Sequence, residues 1–275
     1  MMRLLRALPI AALLALASFG MAGPQAASAT TTCPPSPTPG STVHGDLEVV
    51  SGVPCVLDHV TVNGSVTVDP NGQLYLQNGA VVTGGISVAS RGLLQVAFGS
   101  KVGGAVTLDR AEDAIIASST VSHGLSGSVD TVFIASSTVN GGVSTRDTRR
   151  EFNLCGSKVT GSVQVSGGGA LRIGDPPSDT IETTVIAQNT GQEQTYTCDG
   201  NSITGSLTVQ GGRGSIEANK ISGPGAALTV TNARVELEGN TVSGGATCTG
   251  DSFSSPDNDT PAPSNTYSGP NNGCP

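Results

Sequence analysis

The chain of 275 residues contains no tryptophan, and aromatic residues make up only 3% of it. Stacking platforms of the kind that grip sugar rings or bases are therefore scarce. Charged residues are also few, at 12%, and acids outnumber bases 21 to 13. A surface that captures nucleic-acid phosphates needs the opposite balance, so nucleic acid is a poor candidate partner. Beyond the first thirty residues no apolar stripe recurs at the helical period of 3.6. No Cys-x-x-Cys occurs, and His44, His59 and His123 stand at no finger-like spacing from a cysteine pair, so no metal site is expected. G-x-S-x-G, P-loop and H-E-x-x-H motifs are missing, and no cofactor is implied.

The N-terminus has the features of a secretory signal. Arg3 and Arg6 precede an apolar run from Leu8 to Ala22, and Ala27-Ser28-Ala29 supplies a small-x-small cleavage site, so residues 1–29 are read as a signal peptide. Cutting there removes two of the 13 bases and no acid, which leaves 11 against 21 and a net charge of −10. No later stretch is long and apolar enough to span a bilayer, so the mature chain is expected to be secreted, without a membrane span.

Gly, Ser, Thr and Val dominate the remainder, as short β-branched runs broken by Gly, Asn and Ser, a composition that argues for an all-β fold. One motif, Val/Ile-x-Gly-x-Val/Leu/Ile, recurs throughout. It reads VHGDL from Val43, VNGSV from Val62, VTGGI from Val82, VGGAV from Val102, VSHGL from Val121, VNGGV from Val139 and VTGSV from Val159. After a longer interval come ITGSL from Ile203, ISGPGAAL from Ile221 and VSGGA from Val242. Successive starts lie 19, 20, 20, 19, 18, 20, 44, 18 and 21 residues apart. A further short strand precedes each copy by about seven residues, as in FNLCGSKV before Val159 and VELEGNTV before Val242.

Spacing of two within these strands puts Val62/Val66/Val68, Val82/Ile86/Val88, Val102/Val106/Leu108, Val159/Val163/Val165 and Ile203/Leu207/Val209 on one face. One such unit cannot bury its own valines, whereas stacked units bury them in a common column and pair their strands in parallel. The expected fold is all-β: a single-domain parallel β-helix of about ten coils of roughly 20 residues. It covers residues 43–250, between a Pro/Thr-rich cap segment at 30–42 and a cap or tail at 251–275.

Asn201, Asn219 and Asn240 precede the central Val or Ile, and EANKISG and EGNTVSG show them in context. This row resembles the asparagine ladder of right-handed β-helix repeats in the pectate-lyase-like superfamily. The resemblance extends over residues 43–248 and concerns the fold. It favours right-handed winding, as does a period that wanders from 18 to 21 where left-handed hexapeptide helices keep 18.

Six cysteines in an exported chain predict three disulfides. Cys55 and Cys248 occupy inward positions in the first and last coils, so Cys33–Cys55 and Cys248–Cys274 are expected to tie the ends, leaving Cys155–Cys198. A bridge of that kind spans about one coil spacing, so the 44-residue interval is expected to hold one coil plus a loop insertion at 175–195. Val185-Ile186-Ala187 leaves an extra coil as the alternative.

Outward residues around the last strand of the motif are bland: Ser65/Thr67/Asp69, Gly85/Ser87/Ala89, Ala105/Thr107/Asp109, Gly142/Ser144/Arg146, Ser162/Gln164/Ser166 and Ser206/Thr208/Gln210. Asp69 and Asp109 stand two coils apart, roughly 10 Å, which is wide for a working carboxylate pair. The dense cluster is TRDTRREFN, with Arg146, Asp147, Arg149, Arg150 and Glu151, and Asp130 one coil below. Arginine forks there suit a carboxylated sugar, although a charged turn that keeps the rod soluble is the plainer explanation. His123 replaces the motif glycine, with no Ser-His-Asp spacing around it. The row Thr67, Ser87, Thr107, Ser126, Ser144, Gln164, Thr208 and Thr229 is similar to faces of some ice-binding proteins, but mixed and interrupted.

The sequence therefore points to a secreted, non-catalytic β-helix, a monomer that acts as scaffold or binding module, with extracellular polysaccharide or a cell-envelope component as partner. The enzymatic alternative is a polysaccharide lyase or glycoside hydrolase acting through Arg146–Glu151, a chemistry that the fold resemblance implies. A third reading, a self-assembling filament resembling bactofilins, conflicts with export and capped ends.

Overall fold

The computed structural model describes residues 30–174, 180–183, 194–253 and 264–275. The signal-like segment 1–29 lies outside the described residues, as do 175–179 and 184–193 of the expected insertion. Among the described residues there is no helix. The chain winds as a parallel β-solenoid of about ten coils, three strands to a coil. Taking one coil as the pattern, Thr61–Asn63 lies in sheet I, Val66–Val68 in sheet II and Gln73–Gln77 in sheet III. Each strand pairs in parallel with its copy one coil on, so Val62 meets Val82, Val66 meets Ile86 and Leu74 meets Leu94. Sheet I has 11 strands. Sheets II and III are continuous where Val106–Ala117 and Leu125–Ala135 run unbroken through the corner between them.

Strand alternation turns every motif Val, Leu and Ile inward. All fifteen residues of the five expected inward sets are at most 6% exposed. Sheet III adds two further columns, one through Leu74, Leu94, Val132 and Phe152 and one through Leu76, Val96, Ile134 and Leu154. The columns form one core that runs the length of the rod.

A solenoid also has to satisfy the backbone groups at its inward corners. Between sheets III and I this is done by a ladder longer than the three asparagines legible in the sequence. The backbone N–H of Ser119 donates to Ser137 Oγ, that of Ser137 to Ser157 Oγ, and that of Ser157 to Asn201 Oδ1. The series continues through Asn219 and Asn240 to Asn265. Each asparagine amide also donates to a main-chain carbonyl, as Asn219 Nδ2 does to Ile173 O at 2.7 Å.

Three disulfides close as expected. Cys33 continues the inward sheet II column of Val49 and Val68, and Cys55 heads the sheet III column of Leu74, so their bridge crosses the open core at the first coil (Cα–Cα 5.7 Å). Cys248 ends the same sheet II column after Val230 and is tied to Cys274. The end segments are themselves rungs: Thr31–Cys33 pairs with Leu47–Val49, and Thr266–Tyr267 and Asn271–Asn272 pair with the coil before them. Ser36 Oγ accepts the Val56 N–H and the Gly40 N–H donates to Asp58 O, which covers the first edge of sheet III.

Cys155–Cys198 differs from the other two. The ladder passes straight from Lys158–Thr160 to Ser202–Ile203 and from Val163–Gly167 to Leu207–Gln210, so a single coil fills the 44-residue interval. The rest of the interval leaves the rod as an antiparallel pair, Thr180–Thr183 with Gln194–Thr197. Tyr196 rests edge-on against Phe133 on the outer side of sheet III, with ring centroids 5.7 Å apart. The disulfide fixes this excursion beside a small apolar cluster of Ala97, Ala117, Phe133 and Ala135, separate from the core.

Asn219→Ala removes a side chain that is 1% exposed and strands the Ile173 carbonyl and the Asn201 N–H. At about 1–3 kcal/mol for each unsatisfied buried group, the expected loss is about 3 kcal/mol, read as a lower urea midpoint at unchanged slope. Thr67→Ala on the exposed row is expected to stay within about 0.5 kcal/mol of the wild type.

Candidate functional site

Two features stand out on the exposed surface, and they adjoin. The first is the outward row of sheet II. In register, Glu48, Thr67, Ser87, Thr107, Ser126, Ser144, Gln164, Thr208, Thr229 and Thr247 follow one another, one per coil. Midway along, the row dips into an open groove with two lobes of about 350 and 380 Å³ that share Ser126, Ser144 and Gln164. One lobe is walled by His123 and Ser162, the other by Arg146 and Gln210. Glycine makes the dip. A Cβ at Gly124 would meet Gly142 O at 2.7 Å, and one at Gly127 would lie 1.9 Å from Leu108 O. Gly127 also holds φ at +133°, a region L side chains rarely adopt.

His123 Nδ1 lies 2.6 Å from Gly103 O. A carbonyl only accepts, so Nδ1 carries the proton and Nε2 is left for solvent or a ligand. Gly103 belongs to the neighbouring coil, so the residue that replaces the motif glycine ties two coils together at the groove's edge.

The second feature is the corner between sheets II and III, where the sequence-predicted cluster falls. Ser128 Oγ donates to Asp147 Oδ2 at 3.1 Å, and Asp147 holds a left-handed φ of 58°. Arg149 points back to Asp130 at 4.0 Å. Arg150 reaches two coils back to Glu112 at 3.3 Å. Glu151 begins the next sheet III strand opposite Thr131 and Ala170. Of the candidate arginines, Arg146 makes no ion pair among the described residues and lines the groove. Five neighbours in sequence thus divide into one residue at the groove and four on the ridge beside it.

Two residues of this ridge escape a reading by charge density along the chain. Glu112 and Asp113 stand on the coils below, since Asp113, Thr131 and Glu151 share one register line. Counting back 20 and then 18 residues along the repeat, from Arg150 and from Glu151, finds them. Burial raises the Asp113 carboxyl above its ordinary value of 3.8. The Thr131 hydroxyl opposes that shift, and the neighbouring Glu112 adds to it. Tyr75, two coils below, is likewise raised by burial and by the charge of Asp113. Asp69 and Asp109 stay two coils apart, and Asp109 faces Arg110.

The site can hold a polar, extended ligand against a floor of hydroxyls and amides, with one unpaired cation at its wall. Among the described residues no group of three His, Cys, Asp or Glu is placed to hold a metal ion. No known protein family matches the chain, and no curated protein or solved structure is detectably similar to it. The fold defines the class of the protein, a parallel β-solenoid with three disulfides.

Because Asp113 is raised, the folded state binds its proton more tightly than the unfolded chain does. Its penalty on stability is in force at neutral pH and lifts as the pH falls through the raised value to below 3.8. Asp113→Asn is therefore expected to be more stable than wild type at pH 7 and indistinguishable from it below pH 3.8, measured by urea melts at both values.

Proposed function

We propose that the protein is an exported, non-catalytic β-solenoid that works as a scaffold or binding module of the extracellular space or cell envelope. The observation that carries this reading is the state of its charged residues. Arg149 and Arg150 are paired with Asp130 and Glu112 of the coils below, so the densest cluster neutralises itself. The groove beside it offers hydroxyls, amides, His123 and Arg146, and among the described residues His123 is bonded to the Gly103 carbonyl and to no serine of the groove. The signal-like segment at residues 1–29 and three disulfides agree with an oxidising compartment. The groove suits a chain of sugar hydroxyls, so extracellular polysaccharide is the partner this reading names, with Arg146 as its anion contact. Covered ends favour a monomer over a filament: the first edge of sheet III is met by Ser36 and Gly40, and Cys274 is tied over the last coil.

A second reading has one observation in its favour. Asp113, whose carboxyl is raised by burial, shares one register line with Glu151 on the ridge that also carries Arg149 and Arg150. A polysaccharide hydrolase or lyase would draw on this ridge.

Incubation with a panel of acidic polysaccharides separates the two. The binding module retards on an affinity gel, forms no unsaturated products or reducing ends, and loses about tenfold or more in affinity on Arg146→Ala, the effect of one charged hydrogen bond. Turnover abolished by Arg149→Ala with Arg150→Ala, or by Asp113→Asn, would establish the enzyme instead. Sedimentation of the mature protein at high concentration is expected to show a monomer, and length-polydisperse polymers would establish the filament.

A further inference from the structure

The chain has three lysines, Lys101, Lys158 and Lys220, and all three stand in one outward column of sheet I. The column reads Thr42, Thr61, Val81, Lys101, Thr120, Thr138, Lys158, Ser202, Lys220, Thr241 and Thr266 in successive coils. Lys101 and Lys158 are three rungs apart and Lys158 and Lys220 two, hence roughly 14 Å and 10 Å along the rod. All three are exposed, and none pairs with a carboxylate among the described residues. A second outward column two residues along begins at His44, has Gly103 beside Lys101, and otherwise holds Asn, Ser and Thr, among them Asn63, Thr83, Ser122, Asn140 and Thr160. Neither column contains an acid, on a chain whose net charge is −8. Ten arginines complete the basic residues, and none stands in either column.

Each lysine directly follows a corner residue whose side chain is hydrogen-bonded inside: Ser100 to Ala97 O, Ser157 to Cys155 O, and Asn219 to Ile173 O. The corner thus fixes the backbone that presents each ammonium. The result is a cationic strip along the rod with flanking hydroxyl donors. Lysine is a compact point charge suited to phosphate, whereas planar carboxylate recognition favours the arginine fork, which this strip does not use.

We infer that sheet I docks a linear, phosphodiester-linked polyol or sugar polymer that lies along the rod axis, its phosphates on Lys101, Lys158 and Lys220. The inference rests on the extracellular reading above but uses a different face from the sheet II groove. Nucleic acid is disfavoured by the scarcity of side chains on which bases could stack.

Synthetic poly(glycerol phosphate) tests it, by calorimetry and affinity electrophoresis on the mature protein. Binding is expected at 50 mM salt and to weaken roughly 20- to 40-fold at 200 mM, as three released counterions require. Lys101→Gln, Lys158→Gln and Lys220→Gln together should abolish it while leaving thermal unfolding and the retardation by acidic polysaccharide unchanged. Arg146→Ala should leave phosphate-polymer binding intact. Wild type that ignores the polymer at 50 mM salt overturns the inference, as does binding that survives the triple variant. Equal or tighter capture of duplex DNA of matched charge would make the strip a nucleic-acid site and also overturn it. Loss of polysaccharide retardation in the wild type would instead count against the groove.

Discussion

No coil of this protein can bury its own aliphatic face, and that dependence governs the rest of the structure. Three short strands around a turn present Val62, Val66 and Leu74 inward, but only the coils above and below complete their contacts and their main-chain hydrogen bonds. The rod therefore needs register to be kept at every step, and it needs an answer at each end where the stacking stops. The corner ladder from Ser119 to Asn265 keeps register, since each side chain accepts from the coil before it. The end disulfides give the answer at the ends, and both attach to the same inward column, at Cys33 and Cys248.

With stability housed inside, the outward positions are released from structural duty and take up different characters on the three sheets. Sheet III is covered in part by the excursion that carries Tyr196. Sheet II is exposed, hydroxylated and dips into a groove where glycines bring neighbouring coils close. Sheet I carries every lysine of the chain. A solenoid built this way turns sequence position into axial position, so a charge placed every second or third coil becomes a straight line of charge.

Much of the fold is legible in the chain because a period near 20 repeats the same physical demand ten times. Inward and outward sides of Val62–Val68 follow from alternation alone, and the cysteine pairing follows from Cys55 and Cys248 standing inward in the first and last coils with Cys33 and Cys274 beyond them. Less of the site is legible. TRDTRREFN looks like a single cluster in sequence, yet Arg146 faces the groove while Arg149 and Arg150 turn back toward older coils. Glu112 and Asp113 escape notice because they are 38 residues before Arg150 and Glu151 in the chain, though side chains of that length bridge two rungs. The lysine column is implicit in the repeat, because the residue before each motif valine keeps one outward place in every coil.

By itself the sequence determined the class of fold, the inward column, the disulfide partners and the absence of familiar catalytic motifs, because these depend on period, alternation and residue chemistry, which a linear text preserves. Tertiary structure decided the partners of the arginines, the continuation of the asparagine ladder into serines, the depth of the groove and the outer contact of Tyr196 with Phe133. Those depend on how far a side chain reaches across a 4.8 Å rung and which way a corner turns it. Neither quantity is periodic, so the repeat does not encode them.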